Sequence, residues 1–320
     1  MLEKDLKMID EEIIEEIENE LILLESSQEI LVESIRDRTI LLVDLTLGEN
    51  LKILDLAKKQ INEHQKLIQY YSSRFNIEEG ISISQIFQLY FGPNVNTEVI
   101  SMSEFGSRII KFNNIALVVF SGSPANITDA LKPVKDSSSR QHRVVYDFVS
   151  KFYDLALDLE LPIFGICYGH QFLSHKYGNL VSNDGYFTAD KITKMISKKI
   201  LRIINKASSV QEKGFLPYYN GDLVKGFNHA HPLFESNEGQ VDERNDGSIF
   251  FSTSKDRYDL NEELINCSGW NLGVQGHPEY SIFEPIFSAA WGKKDIRPLG
   301  QRSLSPEILK ILAHLLNLKN

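Results

Sequence analysis

Residues 164–173 read F-G-I-C-Y-G-H-Q-F-L and follow directly on the apolar run Leu161-Pro162-Ile163-Phe164. The run reads as a short buried strand and Gln171 onward as a helix, so Cys167 falls at the tip of a strand-to-helix turn. Gly165 and Gly169 flank it at i−2 and i+2. Lacking Cβ, they make room for the sharp, strained turn that pushes a nucleophile out of a sheet, as in the G-x-S-x-G elbow. A thiol there lies at a helix N-terminus, where aligned backbone N–H groups favour the thiolate. A free cysteine is otherwise most often a small buried hydrophobe, and this stretch alone leaves both readings open.

Working outward, the chain alternates strand and helix patterns. Ile40–Leu45 (I-L-L-V-D-L) is a candidate first strand, followed by a helical pattern from Leu51 to Arg74. Thr97–Met102 and Ile115–Phe120 (I-A-L-V-V-F) are further strands, and a helix over Val144–Leu157 leads into the strand that ends at the elbow. Strands separated by helical crossovers predict an α/β fold with a doubly wound, mostly parallel sheet and ligands at its carboxyl edge. Between Asn126 and Arg143 the sequence is polar, and it reads as a loop near that edge with Ser137–Ser139 as a linker; a lid or a partner contact is the alternative.

A second cluster, Val274-Gln275-Gly276-His277-Pro278-Glu279-Tyr280, lies 110 residues beyond the cysteine. A His and a Glu two apart on extended backbone project the same way. The carboxylate can then fix the imidazole tautomer while the other ring nitrogen addresses a thiol. Cys167, His277 and Glu279 together compose a candidate triad.

The pairing of G-I-C-Y-G-H-Q with G-H-P-E downstream resembles the triad-type, class I glutamine amidotransferases, which have a flavodoxin-like fold, over about residues 39–285. C-Y-G-H-Q and Q-G-H-P-E-Y bring it nearest to the free-standing, guanylate-synthetase-like and γ-glutamyl-peptidase-like group. Ser121-Gly122-Ser123-Pro124 stands where the family commonly carries S-G-G-P. The resemblance therefore implies an oxyanion hole built from the backbone N–H groups of Ser123 and Tyr168, with Gly122 in the substrate loop. If the family glycine serves a positive φ, serine at 123 is strained. Gln171 matches a position that helps hold the substrate amino acid; read without the family it is an ordinary surface glutamine. In Gly226-Phe227-Asn228-His229-Ala230-His231, His229 matches a histidine on the substrate side of the pocket, while His231 stands where an acid or amide is usual. His229 and His231 lack a third ligand placed by sequence, so no metal is expected, and no cofactor is implied.

The implied activity is cleavage of the glutamine side-chain amide through a thioester, giving glutamate and ammonia. The sequence has neither an S-G-G-x-D-S pyrophosphate loop nor a G-x-x-x-x-G-K-[ST] phosphate loop, so it is not expected to activate an acceptor with ATP by those routes, and on the first reading the ammonia goes to a separate synthetase. Two alternatives stand beside this one: a stand-alone hydrolase or transferase of γ-glutamyl amides and peptides, and a non-catalytic binding module.

At 320 residues with 42% hydrophobic content, the chain can bury one large α/β core with appendages. Its net charge of −10 sits in residues 1–37, which hold 13 acidic against 3 basic residues. Leu6, Ile9, Ile13, Ile17, Leu21 and Leu24 recur there every three or four residues, so the segment reads as an acidic amphipathic helix covering either the chain's own domain or a partner. The expected organisation is this extension at 1–37, an amidotransferase-like domain at 38–290, and a C-terminal tail and helix at 291–320. The acidity argues against nucleic-acid or anionic-membrane binding. No apolar stretch approaches a membrane span and no secretory pattern opens the chain. Cys167 and Cys267 form no metal spacing, and a thiolate enzyme needs a reducing compartment, so a cytoplasmic location is expected.

Overall fold

The computed structural model describes residues 3–46, 64–76, 81–104, 107, 109–196, 213–225, 231–232, 234–235, 249–252, 269–290 and 302–317. Helix α1 (Glu3–Ile35) leads into β1 (Thr39–Asp44), and α2 (Gln65–Phe75) and α3 (Ile83–Phe91) precede β2 (Asn96–Ser101). After β3 (Ile115–Phe120) come α4 (Ile127–Ala130) and α5 (Ser137–Asp158), then β4 (Ile163–Ile166) and α6 (Tyr168–Lys176). A hairpin of β5 (Leu180–Ile196) and β6 (Lys213–Lys225) follows, with β7 (His231–Pro232), β8 (Phe234–Glu235), β9 (Ile249–Ser252) and β10 (Trp270–Val274) beyond it. The last described elements are α7 (Glu284–Ala290) and α8 (Ser305–Asn317).

The main sheet has the order β2-β1-β3-β4-β10-β9-β7, and a smaller one has the order β6-β5-β8. From β2 through β10 every pairing is parallel; β9 and β7 add an antiparallel edge. The α/β, mostly parallel expectation is met. A strand buried on both faces reads as a continuous apolar run, and β3, I-A-L-V-V-F, is buried at all six positions. Alternation along β1 divides the core. Ile40 and Leu42 face a cluster with α1, α3 and α8, while Leu41 and Val43 face one with α5 and α6.

The strands expected at 40–45, 97–102 and 115–120 all form, within a residue of their predicted limits. Of the helix expected over 51–74, Gln65 onward is helical, and 51–63 lie outside the described residues. The polar stretch at 126–143 is a correction. Its two ends fold into α4 and the first turns of α5 with a loop at 131–136 between them, and Ser137–Ser139 are helical rather than a linker. The cause is a capping box: the Asp136 side chain accepts from Ser139 N at 2.8 Å while Ser139 Oγ accepts from Asp136 N at 2.9 Å. Polar composition there marks a helix start.

Helix α1 packs against the chain's own domain. Ile13, Ile17, Leu21, Leu24, Leu31 and Ile35 are buried along its stripe, and it lies against α8, α2 and α3. Buried Gln28 ties it to the end of α3, donating from Nε2 to Leu89 O at 2.7 Å and Tyr90 O at 3.1 Å.

Candidate active site

Three strand ends converge at the carboxyl edge of the sheet: β3 runs into Ser121, β4 into Cys167 and β10 into Gln275. Register holds them together, with Phe120 beside Gly165, and Ile166 beside Val274. Cys167 caps α6 with φ 52° and ψ −103°, a conformation that residues with a Cβ rarely adopt and that costs about 1–3 kcal/mol. Both sides of the elbow are pinned, Cys167 N donating to Val274 O and Cys167 O accepting from Gln171 N, each at 2.9 Å. The flanking glycines serve close approach. A Cβ on Gly169 would lie 2.5 Å from Phe120 O, and one on Gly165 would lie 2.7 Å from the Gly169 backbone.

His277 follows β10, and its N–H donates to Pro217 O of β6 at 2.7 Å. Its Nδ1 is 2.8 Å from Glu279 Oε1, with the imidazole 4% and the carboxylate residue 1% exposed. The ring stacks on Tyr280 at 4.6 Å between centroids and 7° between planes. Glu279 Oε2 has no hydrogen-bond partner among the described residues, so the carboxylate's interaction is concentrated on the imidazole. Burial pushes the His277 pKa down, but the charges of Glu279 and Cys167 and their hydrogen bonds outweigh it and hold the group up at about 10. Cys167, His277 and Glu279 thus lie in one buried cluster.

The remaining sequence-derived candidates are distributed around it. Gly122 abuts both His277 and Cys167, since a Cβ there would be 2.9 Å from His277 Cε1 and 3.6 Å from Cys167 Cβ. Ser123 is absent from the described residues with positive φ, so replacing glycine by serine brings no strain of that kind. Tyr168 opens α6 directly after Cys167; its side chain is fully buried, and burial raises its phenol pKa. Gln171 is buried rather than on the surface, donating from Nε2 to Asp222 O at 2.8 Å and Gln275 Oε1 at 3.3 Å. His229 lies outside the described residues, and His231 contributes backbone to β7.

Two contributors were not singled out from the sequence. Gln275 donates from Nε2 to Cys167 Sγ at 3.6 Å while accepting from Gln171, so a chain of amides runs from the β6 backbone to the sulfur. Its position two residues before His277 was the available signal. Ser121 is wholly buried: its Oγ accepts from Leu45 N and donates to Gly122 O, both at 2.9 Å. Because C=O and N–H of a trans peptide point oppositely, this bond orients the Gly122–Ser123 peptide and aims Ser123 N–H away from Ser121.

The geometry can be set beside known proteins. The model of the class I glutamine amidotransferase family ("Glutamine amidotransferase class-I") matches residues 82–284, more than half of the chain. A GMP synthase [glutamine-hydrolyzing] from Corynebacterium glutamicum (strain R) is 27% identical over 173 residues, covering 53% of this chain and 25% of that protein. The chain thus spans about a quarter of the length of the curated relatives it matches. Among solved structures, a glutamine amidotransferase from Thermotoga maritima superposes with a TM-score of 0.48 at 13% identity, covering 88% of this chain and 97% of that one. One from Methylobacillus flagellatus gives a TM-score of 0.43 at 10% identity, with 88% and 94% covered. The match over residues 82–284 assigns the chain to the class I glutamine amidotransferase family, an enzyme family of glutamine-hydrolysing C–N hydrolases.

Proposed function

We propose that the chain hydrolyses the side-chain amide of glutamine with Cys167 as nucleophile, His277 as acid and base, and Glu279 as the group that orients and charges the imidazole. The observation that carries this reading is the buried His277–Glu279 contact at 2.8 Å in the same cluster as a cysteine held at a strained helix N-terminus. Cys167 Sγ attacks the amide carbon, and the N–H groups of Ser123 and Tyr168 receive the oxyanion. The C–N bond breaks as the proton held on His277 moves to the departing nitrogen, leaving ammonia and a thioester. The now neutral imidazole takes a proton from water, hydroxide adds to the thioester carbon, and glutamate leaves as the thiol is restored. Gln171 and Gly122 border the substrate amino acid. With Gln171 Nε2 directed to Asp222 and Gln275, its Oε1 is the end offered to a ligand, and His229 is assigned to the same side of the pocket by family position.

Ammonia is passed to a separate synthetase, with the cytoplasm as the setting. Treatment with a chloroketone analogue of glutamine, read by intact-mass and peptide spectrometry, tests the nucleophile. One adduct on Cys167, blocked by glutamine and absent in His277→Ala, is expected. No adduct and no glutamate from wild type would remove the assignment, and faster turnover of a γ-glutamyl peptide than of glutamine would move the substrate class.

A further inference from the structure

Residues outside the family-matched span close over the segment that carries the acidic member of the cluster. Three hydrogen bonds reach the backbone or side chains of Pro278–Ile282 from three separate elements. Ser305 Oγ of α8 donates to Pro278 O, Ser281 Oγ donates to Glu20 Oε1 of α1, and Tyr71 OH of α2 donates to Ile282 O. Glu20, Tyr71 and Ser305 all fall outside 82–284. Around these bonds Ile13, Ile17 and Leu21 of α1 and Leu67, Ile68 and Tyr71 of α2 form one buried cluster with Ile282, Phe283, Ile286 and Phe287. Tyr280, stacked on the imidazole, packs against the same cluster.

Glu20 is the informative member. It adjoins the apolar stripe of Ile13, Ile17, Leu21 and Leu24, and it is 4% exposed. Burial of the helix face alone would be better served by an apolar side chain, since a carboxylate taken from water is costly unless its oxygens are hydrogen-bonded. What a carboxylate adds is direction: it accepts from the Ser281 hydroxyl, two residues from Glu279. Pro278–Tyr280 is a single 3₁₀ turn, too short to absorb a displacement of Ser281 without moving the Glu279 carboxylate.

We propose that α1 and α8 are positioning elements of the active site, and that Glu20, through Ser281, sets the placement of Glu279 and hence of His277 against Cys167. This rests on the triad reading above. Helix α1 is then a positioning element of the active site in its own right, in addition to covering apolar surface.

The test uses the full chain and needs no turnover: the rate at which iodoacetamide alkylates Cys167, followed by peptide mass spectrometry well below each variant's melting temperature, with kcat and KM for glutamine alongside. Reactivity follows the thiolate character that a neighbouring imidazolium confers, and displacement of about 1 Å in such a site costs up to about 100-fold. Glu20→Leu and Ser281→Ala are expected to slow alkylation at least about fivefold and to lower kcat more than they raise KM. The double variant is expected to be no slower than either single one, because both remove the same bond. Glu20→Gln, whose Oε1 still accepts from Ser281, should restore most of the rate. A folded Glu20→Leu or Ser281→Ala protein that alkylates at the wild-type rate, or Glu20→Gln as slow as Glu20→Leu, overturns the proposal. His277→Ala separates the two levels. If wild type is no more reactive than His277→Ala, the triad reading fails and this inference with it; if wild type is faster but the Glu20 and Ser281 variants match it, only this inference fails.

Discussion

At the scale of single residues, the site depends on backbone geometry that two side chains determine. Ser121 spends its hydroxyl twice, accepting from Leu45 N and donating to Gly122 O. Ser121→Ala releases the Gly122–Ser123 peptide and leaves a buried N–H without its acceptor. We expect stability to fall by about 1–3 kcal/mol and kcat by about 10²-fold with KM for glutamine little changed, the pattern of a lost oxyanion donor; an equal rise in KM would locate the effect in binding instead. Cys167 makes the second case, since its φ of 52° is tolerated by glycine and strained for anything larger. Cys167→Gly and Cys167→Ala both remove the sulfur, yet only the first relieves the strain. Urea unfolding should place Cys167→Gly above Cys167→Ala by about 1 kcal/mol, and the reverse order would mean that the elbow stores no strain. The sequence singled out this residue through a pairing: a cysteine between spaced glycines is ambiguous alone, and the His277–Glu279 cluster downstream is what favours the reactive reading. Gln275 and Ser121 escaped notice because glutamine and serine are common, and their roles depend on a hydrogen bond to a partner 108 and 76 residues away.

At the scale of elements, periodicity was most informative where one face is buried. The run at 115–120 and the stripe of α1 could be read directly, because each is decided by local alternation. The start of α5 could not: Asp136 and Ser137–Ser139 have turn-like composition, and only the reciprocal capping bonds convert that composition into a helix start. The hairpin of β5 and β6 was likewise missed, for its partners are set by tertiary pairing rather than by its own pattern. Whether α1 packs in cis was left open by the sequence, and the structure answers it through residues such as Leu31, fully buried in a cluster with Phe87, Leu312 and Leu316. Leu31→Ala should cost about 2–5 kcal/mol in chemical denaturation, the range for a truncated core leucine. A change under about 0.5 kcal/mol, as found for surface sites, would show that the helix is only loosely applied.

At the scale of the whole molecule, the buried histidine–carboxylate pair should leave its mark on how stability varies with pH. His277 titrates near 6.5 when unfolded and is held at about 10 in the fold. Below 6.5 it is protonated in both states, and its pairing with Glu279 contributes fully. Between 6.5 and 10 the folded state keeps a proton that the unfolded chain has released, so unfolding sheds a proton and stability declines as pH rises. The contribution is gone once pH passes the folded value. Urea unfolding under reducing conditions from pH 6 to 10 should therefore show a downward slope in wild type, and Glu279→Gln should make it shallower by removing one of the two charges, Glu279 and Cys167, that hold the proton on the ring. Because that substitution also weakens the orienting bond, Glu279→Gln is expected to lower kcat by about 10³–10⁴-fold, as the loss of an orienting carboxylate does in triads of this logic. The two measurements constrain each other. A shallower slope with normal turnover would make the pair purely structural, whereas lost turnover with an unchanged slope would mean that His277 is neutral at rest and gains its proton only as the nucleophile attacks.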